Sequence, residues 1–307
     1  MFKDFGSDLR VKKAGNKIRY TELVTDTNYF GGTYLLSTKQ LSDIKELQHI
    51  CEDGENYQLK LNWDMLQTRN GNEANDFFHY EDGKLVGFLG LYGFGNKVEV
   101  CGMVSPNYRR KGISTQLLHK AEKVINERKL QEILYNAPTN SESGKAFLQT
   151  IPCSYSFTEY QMKWEEKELS NHEDVSLRLA TPNDVETEIQ LDVQCFGFEE
   201  QDARDYNIRI KQEYNEQFYM IESDEITVGK MRVAHSDGEA WIYGFAVLPS
   251  FQGKGIGRKA LTNLINKEHQ NGNSIFLEVE AKNANALRLY ESCGFKAYHA
   301  QDYYKKI

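Results

Sequence analysis

Val247-Leu-Pro-Ser-Phe-Gln252-Gly-Lys-Gly255-Ile-Gly257 decides how this chain is read. It follows an alternating apolar run, Ala240 to Val247, and precedes a stretch from Gly257 to about Glu268 with helical spacing of its apolar residues. A glycine-rich turn between a strand and a helix leaves the first backbone N–H groups of the helix free to face an anion. The glycines allow positive φ and let a phosphate group approach the backbone closely. The loop is not a Walker loop, because its Gly-Lys pair is not followed by Ser or Thr.

The same pattern occurs earlier. Val104-Ser-Pro-Asn-Tyr-Arg109-Arg-Lys111-Gly112-Ile-Ser114 aligns with it at an offset of 143 residues, the separation of Arg109 and Gln252. The offset also pairs Leu118 with Leu261 and Asn140 with Asn283. A register held this long indicates a duplicated domain rather than a short solenoid unit, and a chain of 307 residues has room for two domains. Between the copies, Glu165 to Asp174 is polar, charged and without periodicity, as a linker is. The expected organisation is therefore an arm or hairpin over residues 1–32, a first copy over 33–164, a linker over 165–174 and a second copy over 175–307.

In the second copy, Ser176 to Ala180 alternates as a strand and Thr181-Pro-Asn-Asp184 opens a helical stretch reaching Tyr214. Strands Phe218 to Glu222, Thr227 to Ala234 and Ala240 to Val247 follow, separated by Asp-Glu and Ser-Asp-Gly turns. Beyond the loop come a helix, a strand Ser274 to Glu280, a helix Asn283 to Cys293 and a last strand near Tyr298 to Lys305. The first copy repeats this order, with strands near Phe77 to Tyr80, Leu85 to Tyr92 and Val98 to Val104. The predicted class is α/β (α+β), each copy a mixed, mostly antiparallel sheet flanked by helices.

Composition excludes several classes. The formal charge of −8 argues against a nucleic-acid binder. No apolar run approaches the ~18 residues of a membrane span, and Met1 to Tyr20 is too charged for a signal-peptide core, so a cytoplasmic protein is expected. Five cysteines in no C-x-x-C spacing suggest neither a disulfide framework nor a metal site.

Val247-x-Pro249-x-x-Gln252-x-x-Gly255-x-Gly257, with Asn283-x-x-Ala286-x-x-Leu289-Tyr290-x-x-x-Gly294-Phe295 downstream, resembles the GNAT superfamily of N-acetyltransferases. The resemblance spans 175–307 and, more weakly, 33–164. It implies acetyl-CoA as cofactor, its pyrophosphate on Gln252, Gly253, Lys254, Gly255, Ile256 and Gly257, with the Val247 backbone and Asn283 against the coenzyme arm. It also implies Tyr290 as the acid that protonates the leaving thiolate. Leu277-Glu278-Val-Glu280-Ala-Lys-Asn283 is similar to the L-E-V-R-x-x-N segment of ribosomal-protein alanine N-acetyltransferases, which nominates Glu278 as the base; Glu280 departs from that pattern. As a helix N-cap, Asn283 has an equally good structural role.

The first copy differs. Ser114 replaces the last loop glycine, and Phe147 stands opposite Tyr290 at the offset of 143; a phenyl ring cannot protonate a thiolate. Arg109, Lys111, Gly112 and Ser114 mark a second cofactor site in a copy without catalysis. The expected activity is transfer of an acetyl group from acetyl-CoA to a primary amine, of a small molecule or a protein N-terminus. The alternatives are a transferase for another acyl group and a protein that binds acyl-CoA without turnover. The acceptor, the acyl-chain preference and the oligomeric state are not encoded in any recognisable motif.

Overall fold

The computed structural model describes residues 35–307 apart from 70, 72, 95, 96, 129, 131, 214 and 215. The arm or hairpin expected over 1–32 lies outside the described residues. The first half runs α1 (Thr38–Glu52), α2 (Trp63–Gln67), β1 (Asp76–Glu81), β2 (Lys84–Phe94), β3 (Lys97–Val104), α3 (Ile113–Glu127), β4 (Glu132–Pro138), α4 (Glu142–Leu148) and β5 (Cys153–Trp164). The second runs β6 (Val175–Leu179), α5 (Val185–Phe196), α6 (Glu200–Glu213), β7 (Gln217–Ser223), β8 (Ile226–Ser236), β9 (Glu239–Val247), α7 (Ile256–Gln270), β10 (Ser274–Glu280), α8 (Ala284–Cys293) and β11 (Phe295–Lys306).

Local chemistry explains most of these boundaries. Asp82-Gly83 and Asp237-Gly238 turn β1 into β2 and β8 into β9 with positive φ at both residues, the geometry that matches strand twist. Asp224-Glu225 does the same between β7 and β8. Ser37 and Gln40 form a capping box at the start of α1. The single helical stretch expected through Tyr214 is instead two helices. Gly197, at φ +72°, ends α5 as a left-handed C-cap before α6 begins.

The eleven strands of the described residues join one sheet, in the order β1-β2-β3-β4-β11-β5-β10-β9-β8-β7-β6. The neighbours β3/β4 and β9/β10 are parallel, and the other pairs are antiparallel. By sequence each copy is expected to close its own sheet. In the structure the two copies trade their last strands: β5 lies against β10 from Lys163↔Phe276 to Glu159↔Glu280, and β11 lies against β4 from Lys305↔Leu134 to Gln301↔Pro138. The traded strands then pair with each other from Phe295↔Trp164 to Lys306↔Cys153, so the two sheets fuse.

Alternation along the strands supplies cores on both faces. On one face Phe77, Val86 and Leu91 meet Leu117 and Ala121 of α3; on the other Phe78, Phe88 and Tyr92 meet Ile44 and Leu47 of α1. The second half repeats this, with Tyr219 and Ile221 in the core that includes Leu261 and Leu264 of α7 and Met220 against Leu191 of α5. Each fully buried side chain of this size contributes about 1.5–3 kcal/mol. The segment 165–174 is strapped along α7: Asn263 accepts from the His172 N–H at 2.9 Å and donates to its carbonyl at 2.8 Å.

Candidate functional site

Both loops have the same backbone. Gly253 and Gly255 stand at φ +75° and +81°, and Arg110 and Gly112 at +62° and +82°. Arg110 holds a conformation that disfavours side chains, so the first loop keeps its shape against a local cost of about 1–2 kcal/mol. Gln252 donates from Nε2 to the Val247 carbonyl at 2.8 Å, and Arg109 donates from Nε to the Val104 carbonyl at 3.1 Å. These two side chains therefore anchor each loop to the end of its strand. Lys254 lies over the Phe251 ring at 4.8 Å and Lys111 over Tyr108 at 4.5 Å. Gly255 and Gly112 are N-caps without a side-chain acceptor, so the opening N–H groups of α7 and α3, at Ile256 and Gly257 or at Ile113 and Ser114, remain for an anion. A Cβ on Gly257 would meet nothing nearer than 3.5 Å, and Ser114 is sterically compatible with the loop.

Next to each loop two parallel strands part. The β9/β10 pairing runs only from Glu239↔Ser274 to Ile242↔Leu277, and β3/β4 only from Lys97↔Glu132 to Val100↔Tyr135. Gly244, at φ +56°, and a register shift against β8 bend β9 just beyond the last paired residue. Val247 ends β9 and its side chain is buried; Glu278 follows the last β10 residue paired with β9.

Asn283 caps α8, its side chain accepting from the Ala286 N–H at 3.2 Å. The corresponding cap in the first half is Ser141, accepting from Gly144 at 3.2 Å, whereas Asn140 donates to the Asn56 carbonyl at 3.3 Å. From the last helix's cap the offset is thus 142, the separation of Ser141 and Asn283, and the pairing of Asn140 with Asn283 is corrected. The first half carries one extra residue between α3 and β4 relative to α7 and β10. Leu148, buried like Tyr290, occupies the tyrosine's place, and Phe147 that of Leu289. Neither has a proton to give. Burial pushes the Tyr290 phenol up to about 12, so it keeps its proton at neutral pH. Its ring packs beside Phe245 and Phe295.

Glu278 sits in a charged cluster built by both halves. Its Oε2 is 2.8 Å from Lys60 Nζ, and its Oε1 accepts from Gln161 Nε2 at 3.1 Å. Lys60 also reaches Glu159 at 3.0 Å, Glu99 at 3.9 Å and the Tyr303 hydroxyl at 2.7 Å. Burial alone would lower the Lys60 ammonium, but Glu159, Glu278 and Glu99 outweigh it and raise its pKa well above the ordinary value. Burial pushes the Glu159 carboxyl up against the pull of Lys60, with Glu278 and Glu99 adding repulsion. Glu280 lies outside the cluster, paired with Lys282 at 2.8 Å. Glu159 and Lys60 are not legible as site residues by sequence: no motif surrounds them, and the strand exchange alone brings Glu159 beside β10.

Two cavities adjoin these features. One of about 510 Å³ follows the first loop and splay, lined among others by Tyr57, Met103, Gly112, Ser114, Ala137 and Phe147. A smaller one of about 190 Å³ lies between the halves, with Lys60, Asp64, Arg232, Tyr243 and Glu278 in its walls. Among the described residues no cluster of His, Cys, Asp and Glu fits a metal ion, and no helix is long and apolar enough to cross a membrane.

The Acetyltransferase (GNAT) family model matches residues 40–148 and 186–295. The [ribosomal protein bS18]-alanine N-acetyltransferase of Salmonella typhimurium is 47% identical over 58 residues, 19% of this chain and 39% of that protein. The chain thus spans about two fifths of the length of such curated relatives. A GCN5-related N-acetyltransferase from Sphaerobacter thermophilus superposes with a TM-score of 0.71 at 16% identity, over 89% of this chain and 94% of that one. A tandem GNAT protein from the clavulanic acid biosynthesis pathway does so with 0.65 at 14% identity, over 87% and 94%.

Proposed function

Because the chain belongs to the GNAT acetyltransferase family, we propose that it transfers the acetyl group of acetyl-CoA to a primary amine, with catalysis in the second copy, residues 175–307. The observation that carries this is the buried Tyr290 phenol on α8, whose place in the first copy is taken by Leu148 although both copies keep the loop and the splay. The amine nitrogen bonds to the acetyl carbon as the C–S bond breaks. Glu278 takes the proton the amine sheds, directly or through water, and Tyr290 protonates the departing sulfur. The N–H groups of Gly253 to Gly257 hold the pyrophosphate and the Val247 backbone lies along the pantetheine arm; Asn283 adds a polar contact beside its capping role.

Glu278 shares Lys60 with Glu159, so either carboxylate has the position for a base. A base works best with a pKa near the operating pH, and the upward push on Glu159 makes it the second nominee. Glu278→Gln and Glu159→Gln separate them: the variant that loses the acidic limb of the kcat/KM profile carries the base. Tyr290→Phe tests the acid. A loss of about 10²-fold or more in kcat is expected, and unchanged turnover at every pH would refute the assignment.

The first copy is read as a cofactor-binding domain without turnover. Its cavity of about 510 Å³ supports this, together with the absence of a phenol at Leu148. Calorimetric titration with acetyl-CoA on the intact chain and on Gly255→Glu locates the cofactors. Loss of one site of two supports a cofactor in each copy; binding unaffected by the substitution places the cofactor in the first copy alone and removes the basis for Tyr290.

A further inference from the structure

Beyond Glu278 and Glu159, the cavity between the halves has a wall chemistry that the acetyl-transfer assignment does not use. Its volume is about 190 Å³, below the ~300–1,000 Å³ usual for drug-sized ligands, so its occupant is compact. The first half contributes Asp64, Glu99 and Glu159, and the second Glu216, Glu278 and Tyr243. Against these five carboxylates stand two cations, Lys60 and Arg232.

The two cations are already committed. Lys60 is shared by Glu99, Glu159 and Glu278. Arg232 is 2.7 Å from Glu216 and donates to the Tyr206 hydroxyl at 3.0 Å. Asp64 has no ion pair with a described residue, and burial raises its carboxyl pKa against the weaker pulls of the Met65 N–H and of Arg232. Tyr243 is half-buried in the cavity wall, and burial lifts its phenol well above the ordinary range. A phenol oxygen in the cavity wall can accept a hydrogen bond, and a partly desolvated carboxylate without a cation is destabilised. A bound cation with N–H donors would serve both.

Tyr243 is the first β9 residue beyond the paired stretch, and Glu278 the first of β10. The cavity therefore opens on the same parting of strands as the thioester site. We propose that it binds a compact diamine, the reacting nitrogen beside Glu278 and Tyr243 and the second, charged nitrogen against Asp64. This rests on the acetyl-transfer reading for the fate of the first nitrogen, but the binding does not. A protein N-terminus fits less well, because side chains of the first half wall the cavity on the side facing Glu278.

Calorimetric titration of the full chain with 1,4-diaminobutane, 1-aminobutane and a tripeptide with a free N-terminus, without acetyl-CoA, tests this. The diamine is expected to bind about tenfold or more tightly than the monoamine, the worth of one charge-assisted contact. Asp64→Asn should abolish that difference while leaving monoamine affinity unchanged. If that variant fails to fold, the wild-type comparison decides, supported by weaker diamine binding in Tyr243→Phe. Equal affinity for the two amines, tripeptide binding without diamine binding, or no diamine binding at millimolar concentration each overturns the proposal. Tight diamine binding without acetylation in the presence of acetyl-CoA would count against the proposed transferase activity and not against this pocket. Peptide acetylation without diamine binding would do the reverse.

Discussion

Lys60 Nζ lies 2.8 Å from Glu278 Oε2, joining residues 218 positions apart across the two halves. The ammonium is the shared counter-ion of three carboxylates whose desolvation would otherwise oppose the docking of the halves.

Lys60→Met should therefore destabilise the chain by about 3–5 kcal/mol, the cost of stranding buried charges. Because the folded pKa of Lys60 lies above its ordinary value of 10.5, its contribution is whole at neutral pH and disappears only as the pH rises through that raised value. Urea unfolding at pH 7 measures it; a change under about 1 kcal/mol would show that the pair contributes little.

Gly229→Ala should disturb the proposed thioester site from a distance. A Cβ there would fall 2.4 Å from the Ala246 carbonyl oxygen and 3.2 Å from the Val247 Cα, both backbone atoms of β9. The strand must shift, at about 1–3 kcal/mol, and the KM for acetyl-CoA should rise several-fold. Gly257→Ala, whose nearest neighbour is at 3.5 Å, is the control and should leave KM unchanged.

Arg110→Gly should stabilise the protein. Relief of the left-handed φ of +62° is worth about 1–2 kcal/mol, and the greater freedom of glycine in the unfolded chain returns about half. The net gain of about 0.5–1 kcal/mol should appear as a higher thermal midpoint. Gly253→Arg, at the equivalent position, should lower it by a similar amount.

Asp184 is held below its ordinary pKa of 3.8 by hydrogen bonds from Arg178, helped by the Thr181 N–H and hydroxyl. Its stabilising effect is present above pH 3.8 and is lost as the pH falls through the depressed folded value. Asp184→Asn should cost about 1 kcal/mol at pH 7, a modest figure because Arg178 is partly exposed, and should flatten the acid limb of the stability profile. A series of denaturant curves from pH 2 to 7 tests this.

What the chain alone determined was local or repeated. The two glycine loops, the helices after them and the Asp-Gly turns are set by backbone freedom and side-chain periodicity within a few residues, and the duplication is visible as matching loop residues in a common register. Even there one shift was hidden: an extra residue between α3 and β4 moves the offset from 143 to 142 and places Leu148, not Phe147, opposite Tyr290. Tertiary structure alone decided which strand sits beside which. β5 and β11 are both twelve-residue strands in equivalent positions, so period-two patterning fits either one against β4 or β10. Their exchange brings Glu159 and Lys60 to Glu278 and encloses a pocket between the copies. Partner choice between distant strands is settled by the summed burial of both faces over the whole sheet, a quantity that no local window of sequence contains.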